Sequence, residues 1–280
     1  MSDNKVILFF RKHKYLIIAI LLLVIFFSIT RALISMDQSE KRKYDGLKEE
    51  ADYNYPLSGL FDEYYYTDEY YFRSYDDGNI TSKRGIDVSE HQGQIDWAMV
   101  KEAGVQFAFI RCGYRTLDLG NLREDARFHE NIQGAIDNGI DVGVYFFSQA
   151  ISVDEAMDEA VYAVELVKGY DLSLPIVYDM EETLDSSSRI EELTLTQRTE
   201  FADAFCTVVE NYGYDSMVYG NPTWLLTKIN LLQLKDRKIW LANYADSTAY
   251  PFRYEIWQYS DSGWVDGVDT PVDLNIMFIR

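Results

Sequence analysis

Asp179 and Glu181 are the pair of residues in this sequence with the clearest capacity for chemistry. They close a short apolar run, Ile176 to Tyr178, within Leu174-Pro-Ile-Val-Tyr-Asp179-Met-Glu181-Glu182. If that run is a strand, side-chain alternation sets both carboxylates on one face, roughly 7 Å apart along the chain. An unpaired buried carboxylate is costly, so packing alone does not select two of them at the end of an apolar strand. Two acids held close have their pKa values pushed apart, which gives one acid and one base or nucleophile. Taken alone, the segment equally fits an acidic strand end entering a solvated loop, because Glu182, Asp185 and Ser186 to Ser188 follow.

The elements around this pair alternate. Gly85–Ser89, Phe107–Cys112, Val142–Phe147, Ile176–Tyr178 and Ser216–Tyr219 read as strands. Helical stretches follow them at Ile95–Ala103, Asp125–Asn138, a run from Val153, a run through Phe201, and Thr223–Ile229. Val153, Ala156, Met157, Ala160, Val161 and Val164 fall on one face of a helix, and so do Phe201, Ala204, Phe205, Val208, Val209 and Tyr212. Gly104 and Gly139 mark helix ends. Three more strand-like runs, Ile239–Tyr244, Tyr254–Tyr259 and Leu274–Phe278, leave little room for helices. Near-continuous apolar strands alternating with helices imply parallel pairing with the helices outside. The expected architecture is α/β: an irregular (β/α) barrel of five β/α units and three further strands, preceded by an N-terminal transmembrane helix. An open doubly wound sheet is the alternative, but no glycine-rich phosphate loop follows any strand.

A barrel places catalytic groups at the C-terminal ends of its strands. Asp87 lies there on the first strand, Tyr145 and Phe147 on the third, and Asp179 and Glu181 on the fourth. Tyr219, Tyr244 and Gln258 end later strands, and Asp273 precedes the last. Four carboxylates among aromatic side chains describe a sugar cleft, where rings stack and acids cleave the glycosidic bond. The same acids could hold a divalent cation through oxygen. Metal-assisted hydrolysis usually recruits histidine, however, and the body offers only His91 and His129, so no cofactor or metal is assigned. Neither a Cys–His pair nor a nucleophile elbow is present. Trp240, mid-strand, reads as core.

Composition adds bounds. A formal charge of −20 argues against nucleic acid as a partner. Two cysteines, Cys112 and Cys206, in apolar segments are expected to be buried free thiols. Arg11-Lys-His-Lys14 precedes an unbroken apolar run, Tyr15 to Ile29, that continues through Ala32, Leu33 and Ile34 without a small-x-small cleavage site. These features predict a single-pass anchor with the body outside the membrane. The expected organisation is a cytoplasmic segment 1–14, a signal-anchor helix 15–34, an acidic tyrosine-rich stalk 35–82, and a barrel 83–280. The stalk's many aromatics suggest that part of it packs on the barrel or contacts the wall or envelope proteins.

Gly85-Ile-Asp-Val-Ser89, Gln92-Gly93 and Ile95-Asp-Trp97 resemble the opening of glycoside hydrolase family 25, the bacterial and phage-type N-acetylmuramidases. Val144-Tyr-Phe-Phe147, Asp179-Met-Glu181, Trp240-Leu-Ala-Asn-Tyr244, Trp257-Gln-Tyr-Ser260 and Val272-Asp-Leu-Asn275 continue the likeness in order, so that it covers residues 84–280. The resemblance implies cleavage of the β-1,4 bond between N-acetylmuramic acid and N-acetylglucosamine in peptidoglycan. It makes Glu181 the general acid and Asp179 either the nucleophile or the group that orients the substrate's acetamido oxygen. It also implies that Asp87 and Asp273 position the sugar or tune the pair, and that Tyr145, Tyr244 and Trp257 line the subsites. With Asp179 and Glu181 intact, a catalytically silent wall-glycan scaffold is the less favoured alternative. A chitinase-like hydrolase is a second, but Pro175 and Val177 stand where its longer acidic motif would be.

Overall fold

The computed structural model describes residues 58–60, 62–68, 72–183 and 188–280. The expected segments 1–14 and 15–34, and the first part of the stretch 35–82, lie outside these residues. Among the described residues no helix is long and apolar enough to cross a membrane.

A short antiparallel hairpin comes first, β1 (Tyr65–Thr67) with β2 (Arg73–Tyr75). The chain then runs through β3 (Thr81–Val88), α1 (Trp97–Glu102), β4 (Phe107–Arg115), β5 (Leu122–Glu124), α2 (Phe128–Asp137), β6 (Asp141–Phe147), α3 (Val153–Val167) and β7 (Ile176–Asp179). It continues through α4 (Leu195–Asn211), β8 (Ser216–Gly220), α5 (Pro222–Thr227), β9 (Lys238–Ala242), β10 (Ile256–Gly263) and β11 (Val272–Ile279). Eight strands close a barrel in the order β3-β4-β6-β7-β8-β9-β10-β11, with β11 returning to β3. All neighbours are parallel except that β11 runs antiparallel to both β10 and β3. Five of these strands lead into a helix, and β9, β10 and β11 do not. The turn before β11 is too short for the crossover that parallel pairing needs, so the strand reverses. β5, three residues paired antiparallel on β4, carries too weak a pattern to be read from sequence.

Local chemistry starts and stops the helices where the sequence suggests. Asp96 accepts from Ala98 N and Met99 N at the start of α1, and Thr194 and Gln197 form a reciprocal cap on α4. Asn221 caps α5, with Pro222 at its first position. Gly104 and Gly139 take positive φ at helix ends, a backbone shape that glycine adopts without strain. The faces that pack differ from the periodicity reading. On α3, Val153, Met157 and Val161 are exposed, while Glu159, Ala163 and Val167 are buried with Ala156, Ala160 and Val164. The face turns because Glu159 is drawn inward to Arg115, 2.7 Å away, and to Ser148 Oγ at 2.6 Å.

Side-chain alternation fixes the barrel interior. Phe107, Phe109, Val177, Met217, Tyr219, Trp240, Ala242, Ile256 and Met277 form one buried cluster, with Tyr145 and Leu174 against it. One inward step further towards the mouth, apolar side chains give way to polar ones on most strands, with Phe147 on β6 an exception. Trp240 belongs to this core, as its mid-strand place suggests, and Cys112 and Cys206 are free and buried.

Part of the stretch read as stalk packs on the barrel wall. Tyr65 and Tyr75 meet Phe278 edge to face at 6.2 and 5.6 Å. The Arg73 guanidinium lies 5.1 Å from both the Trp257 and Tyr259 rings. Arg84 Nη1 donates to Asp68 at 2.6 Å. Phe72 and Tyr75 are buried in consequence.

Candidate active site

The inward-facing ends of the strands meet in a cleft of about 340 Å³. Its walls carry Asp87, Tyr145, Phe147, Asp179, Glu181, Tyr219, Tyr244, Gln258 and Asp273, which sequence reasoning had nominated. Register explains the convergence. Asp87 pairs across the sheet with Asp273, Phe147 with Asp179, Asp179 with Tyr219, and Gln258 with Asn275. Every one of these positions shares the inward parity of the core residues beneath it.

Trp257 is the exception and corrects the expectation that it lines a subsite. It alternates with the inward-facing Ile256 and Gln258, so it points out of the barrel, under the hairpin. It is 0% exposed, and its Nε1 donates to the Asn243 carbonyl at 2.8 Å. Tyr259 shares this parity and lies outside the cleft, where its hydroxyl accepts from Arg73 N at 3.1 Å.

Within the cleft, Asp87 is buried and held by two amides. Gln258 Nε2 donates to its Oδ2 at 2.8 Å, and Asn275 Nδ2 donates to the same oxygen at 2.7 Å. Trp240 Nε1 fixes Asn275 by donating to its Oδ1 at 2.8 Å. Gln258 is oriented in turn by the Tyr219 and Tyr244 hydroxyls, at 2.8 and 3.1 Å from its Oε1. Burial lifts Asp87 to about 6, although these donors pull it back down. Asp273 rises to about 9 through burial and then the Asp87 charge beside it.

Asp179 is buried, and its Oδ1 has no hydrogen-bond partner. Ser148 N holds its backbone carbonyl at 2.7 Å. Burial first, and then the neighbouring Glu181 and Asp87, push its carboxyl well above the usual range. Glu181 is half-buried and raised to about 7, by burial and then by Asp87. The adjacent Glu182 is drawn out of the site to Lys228 at 2.5 Å. Four acids brought together in one cleft cannot all be charged at neutral pH, so protons are retained among them.

Three residues that sequence reasoning did not place in the site also belong there. Arg111 lines the cleft, with its Nε on Asp125 at 2.8 Å and Nη2 on Glu90 at 3.0 Å, and His91 lies beside it on the rim. Asn275 acts through Asp87. Alternation carried the signal for Arg111, which follows Phe107 and Phe109 on the inward face of β4. Among the described residues no group of three or more His, Cys, Asp or Glu side chains is arranged to hold a metal ion.

Comparison with known proteins identifies the family of this chain. The sequence model of glycosyl hydrolases family 25 matches residues 86–268. The chain belongs to glycosyl hydrolases family 25. The autolytic lysozyme of Clostridium acetobutylicum is 30% identical over 193 residues, which cover 69% of this chain and 55% of that protein. Lysozyme M1 of Streptomyces globisporus is 30% identical over 203 residues, 69% of this chain and 66% of that one. The chain thus spans between about half and two-thirds of the length of these curated relatives. The crystal structure of the bacterial lysozyme from Streptomyces coelicolor superposes with a TM-score of 0.58 at 30% identity, covering 69% of this chain and 90% of that one. The family match begins at Ile86 and so excludes the hairpin.

Proposed function

We propose that this protein is a peptidoglycan hydrolase of the lysozyme type, a muramidase that cleaves the β-1,4 bond between N-acetylmuramic acid and N-acetylglucosamine. The observation that carries this function is the arrangement of Asp179 and Glu181. One is a buried carboxyl that lines the cleft and has one oxygen without a hydrogen-bond partner, and the other is an acid that keeps its proton to about pH 7. Lysozymes among the family 25 relatives support the choice of substrate.

Glu181 gives its proton to the glycosidic oxygen as the bond to the anomeric carbon breaks. Asp179 acts in the form that has already released its proton to solvent, and the positive charge growing on the sugar favours that ionised form. Asp179 then either bonds to the anomeric carbon or holds the substrate's acetamido N–H so that its carbonyl oxygen attacks instead. Glu181, now ionised, takes a proton from the water that resolves the intermediate. Asp87, raised only to about 6, supplies negative potential with the protonated Asp273 beside it, while Tyr145, Phe147, Tyr219 and Tyr244 wall the sugar. The apolar run 15–34 would anchor the enzyme so that the barrel meets the wall outside the membrane.

The test is digestion of isolated peptidoglycan by the full-length chain, followed by borohydride reduction and mass spectrometry of the new ends. Reduced muramic acid ends that disappear with Glu181→Gln are the expected result. Reduced glucosamine ends would reassign the bond. An absence of new ends while the folded protein stays bound to the wall would make it a glycan-binding protein.

A further inference from the structure

A second, larger hollow of about 760 Å³ opens beside the catalytic cleft, between the β1–β2 hairpin and the extension of β10 beyond the barrel. Tyr244 lines both spaces. Its hydroxyl is tied to Gln258 inside the cleft at 3.1 Å, while the residue remains 52% exposed. Trp264 stands on the wall of the second hollow and is 65% exposed. A single exposed aromatic residue is ordinary, but two on one concave surface that continues an acid-lined cleft are not.

The groove is also held in shape. Arg73 of the hairpin donates to the Asp246 carbonyl at 2.6 Å and to its Oδ1 at 2.8 Å, while its guanidinium packs on Trp257 and Tyr259. One cation thereby fastens the hairpin to the loop that follows β9 and sets Asp246 on the rim. Asp261 and Ser262 add further oxygen acceptors. Aromatic faces for the C–H side of pyranose rings, with carboxylate and hydroxyl groups at the edges for their hydroxyls, are the chemistry that recognises saccharide. Because Tyr244 lines both spaces, a polymer seated in the cleft can continue into the groove, whereas a free small molecule would gain nothing from that continuity.

We propose that this groove is an accessory saccharide subsite that holds the glycan strand beyond the cleaved bond, with Trp264 as its stacking platform and Arg73 as the residue that preorganises its wall. The proposal rests on the glycan-cleaving function above. It goes further in giving a role to the hairpin, a part of the chain that the family match does not include.

Binding separates this proposal from the question of catalysis. Glycan strands stripped of stem peptides, in lengths from tetrasaccharide upwards, would be titrated into the full-length Glu181→Gln chain while tryptophan emission is followed. Longer strands should bind at least fivefold tighter than the tetrasaccharide and shift the emission to the blue. Trp264→Ala, at an exposed position that folding does not need, should abolish both the shift and the length-dependent gain. Asp246→Asn should reduce the gain in part. Equal affinity at all lengths would overturn the subsite, as would a gain that survives Trp264→Ala. Binding of peptide-bearing strands alone would also overturn it, in favour of peptide recognition. Hydrolysis by the wild-type chain on the same strands tests the catalytic function independently, because an inactive wild type that keeps length-dependent binding loses the muramidase but not the subsite.

Discussion

At the scale of single residues, the chemistry of the site works against the stability of the fold. Glu181 titrates at about 7 and Asp273 at about 9, against ordinary values of 4.5 and 3.8, so the folded chain holds protons that the unfolded chain releases. The stability contributed by the protonated forms is complete below about pH 4 and is lost as pH rises through those folded values. Glu181→Gln mimics the protonated acid. It should leave the melting temperature unchanged at pH 4 and raise it at pH 8, and thermal melts at the two pH values read this directly. The same substitution should lower kcat by about 10²–10⁴-fold, the usual worth of a positioned general acid. Wild-type turnover should fall as pH rises through about 7, because the acid then arrives without its proton. A pH–rate profile that stays flat from 6 to 8 would remove Glu181 from that role. Asn275 has no chemistry of its own but supplies one of the two amide donors to Asp87. Asn275→Leu should therefore raise the Asp87 carboxyl and shift the acidic limb of the profile upwards.

At the scale of elements, legibility followed periodicity. The apolar strands and their helices were readable because strand alternation, helical periodicity and glycine stops all pointed to the same elements, and Asp87, Asp179 and Asp273 could be placed at the mouth from them. Applied strictly, the same alternation would have rejected Trp257, since adjacent Trp257 and Gln258 cannot both face inward, and would have admitted Arg111. What periodicity could not supply is long-range. The buried place of Glu159 on α3 depends on Arg115 at the end of β4, and the hairpin's place depends on contacts far away in sequence, Phe278 and Trp257 among them. The hairpin belongs to the cooperative unit because Phe72 and Tyr75 are buried against the barrel. Phe72→Ala should cost about 3–5 kcal/mol in chemical denaturation and keep a single transition. A separate early transition for the hairpin would contradict this. Deeper in the barrel, a Cβ at Gly143 would lie 2.4 Å from the Phe109 ring and 2.8 Å from the Pro175 carbonyl oxygen. Backbone cannot yield as a side-chain tip does, so Gly143→Ala should cost about 1–3 kcal/mol by the same measurement.

At the scale of the whole molecule, a site on the barrel and an apolar run far from it in sequence have to be reconciled. The chain divides by contacts into Met1–Asp52 and Tyr53–Arg280, and every residue of the cleft, the groove and the hairpin falls in the second unit. Function and location are therefore expected to separate cleanly. Residues 15–34 as a helix would be about 30 Å long, the thickness of a bilayer's hydrocarbon core. The body carries the whole of the formal charge of −20 and slightly more, because residues 1–52 are net positive, so it has no electrostatic reason to bind an anionic membrane surface by itself. If the apolar run is the anchor, the full-length chain should sediment with membranes and resist extraction at high salt and alkaline pH. A chain lacking residues 1–34 should remain in the soluble fraction, melt at the same temperature, and digest isolated peptidoglycan at the same rate. A shortened chain that still sediments would place the membrane contact elsewhere on the protein. Loss of hydrolysis on shortening, with the melting temperature unchanged, would mean that the first unit takes part in catalysis, and the separation assigned here would fail.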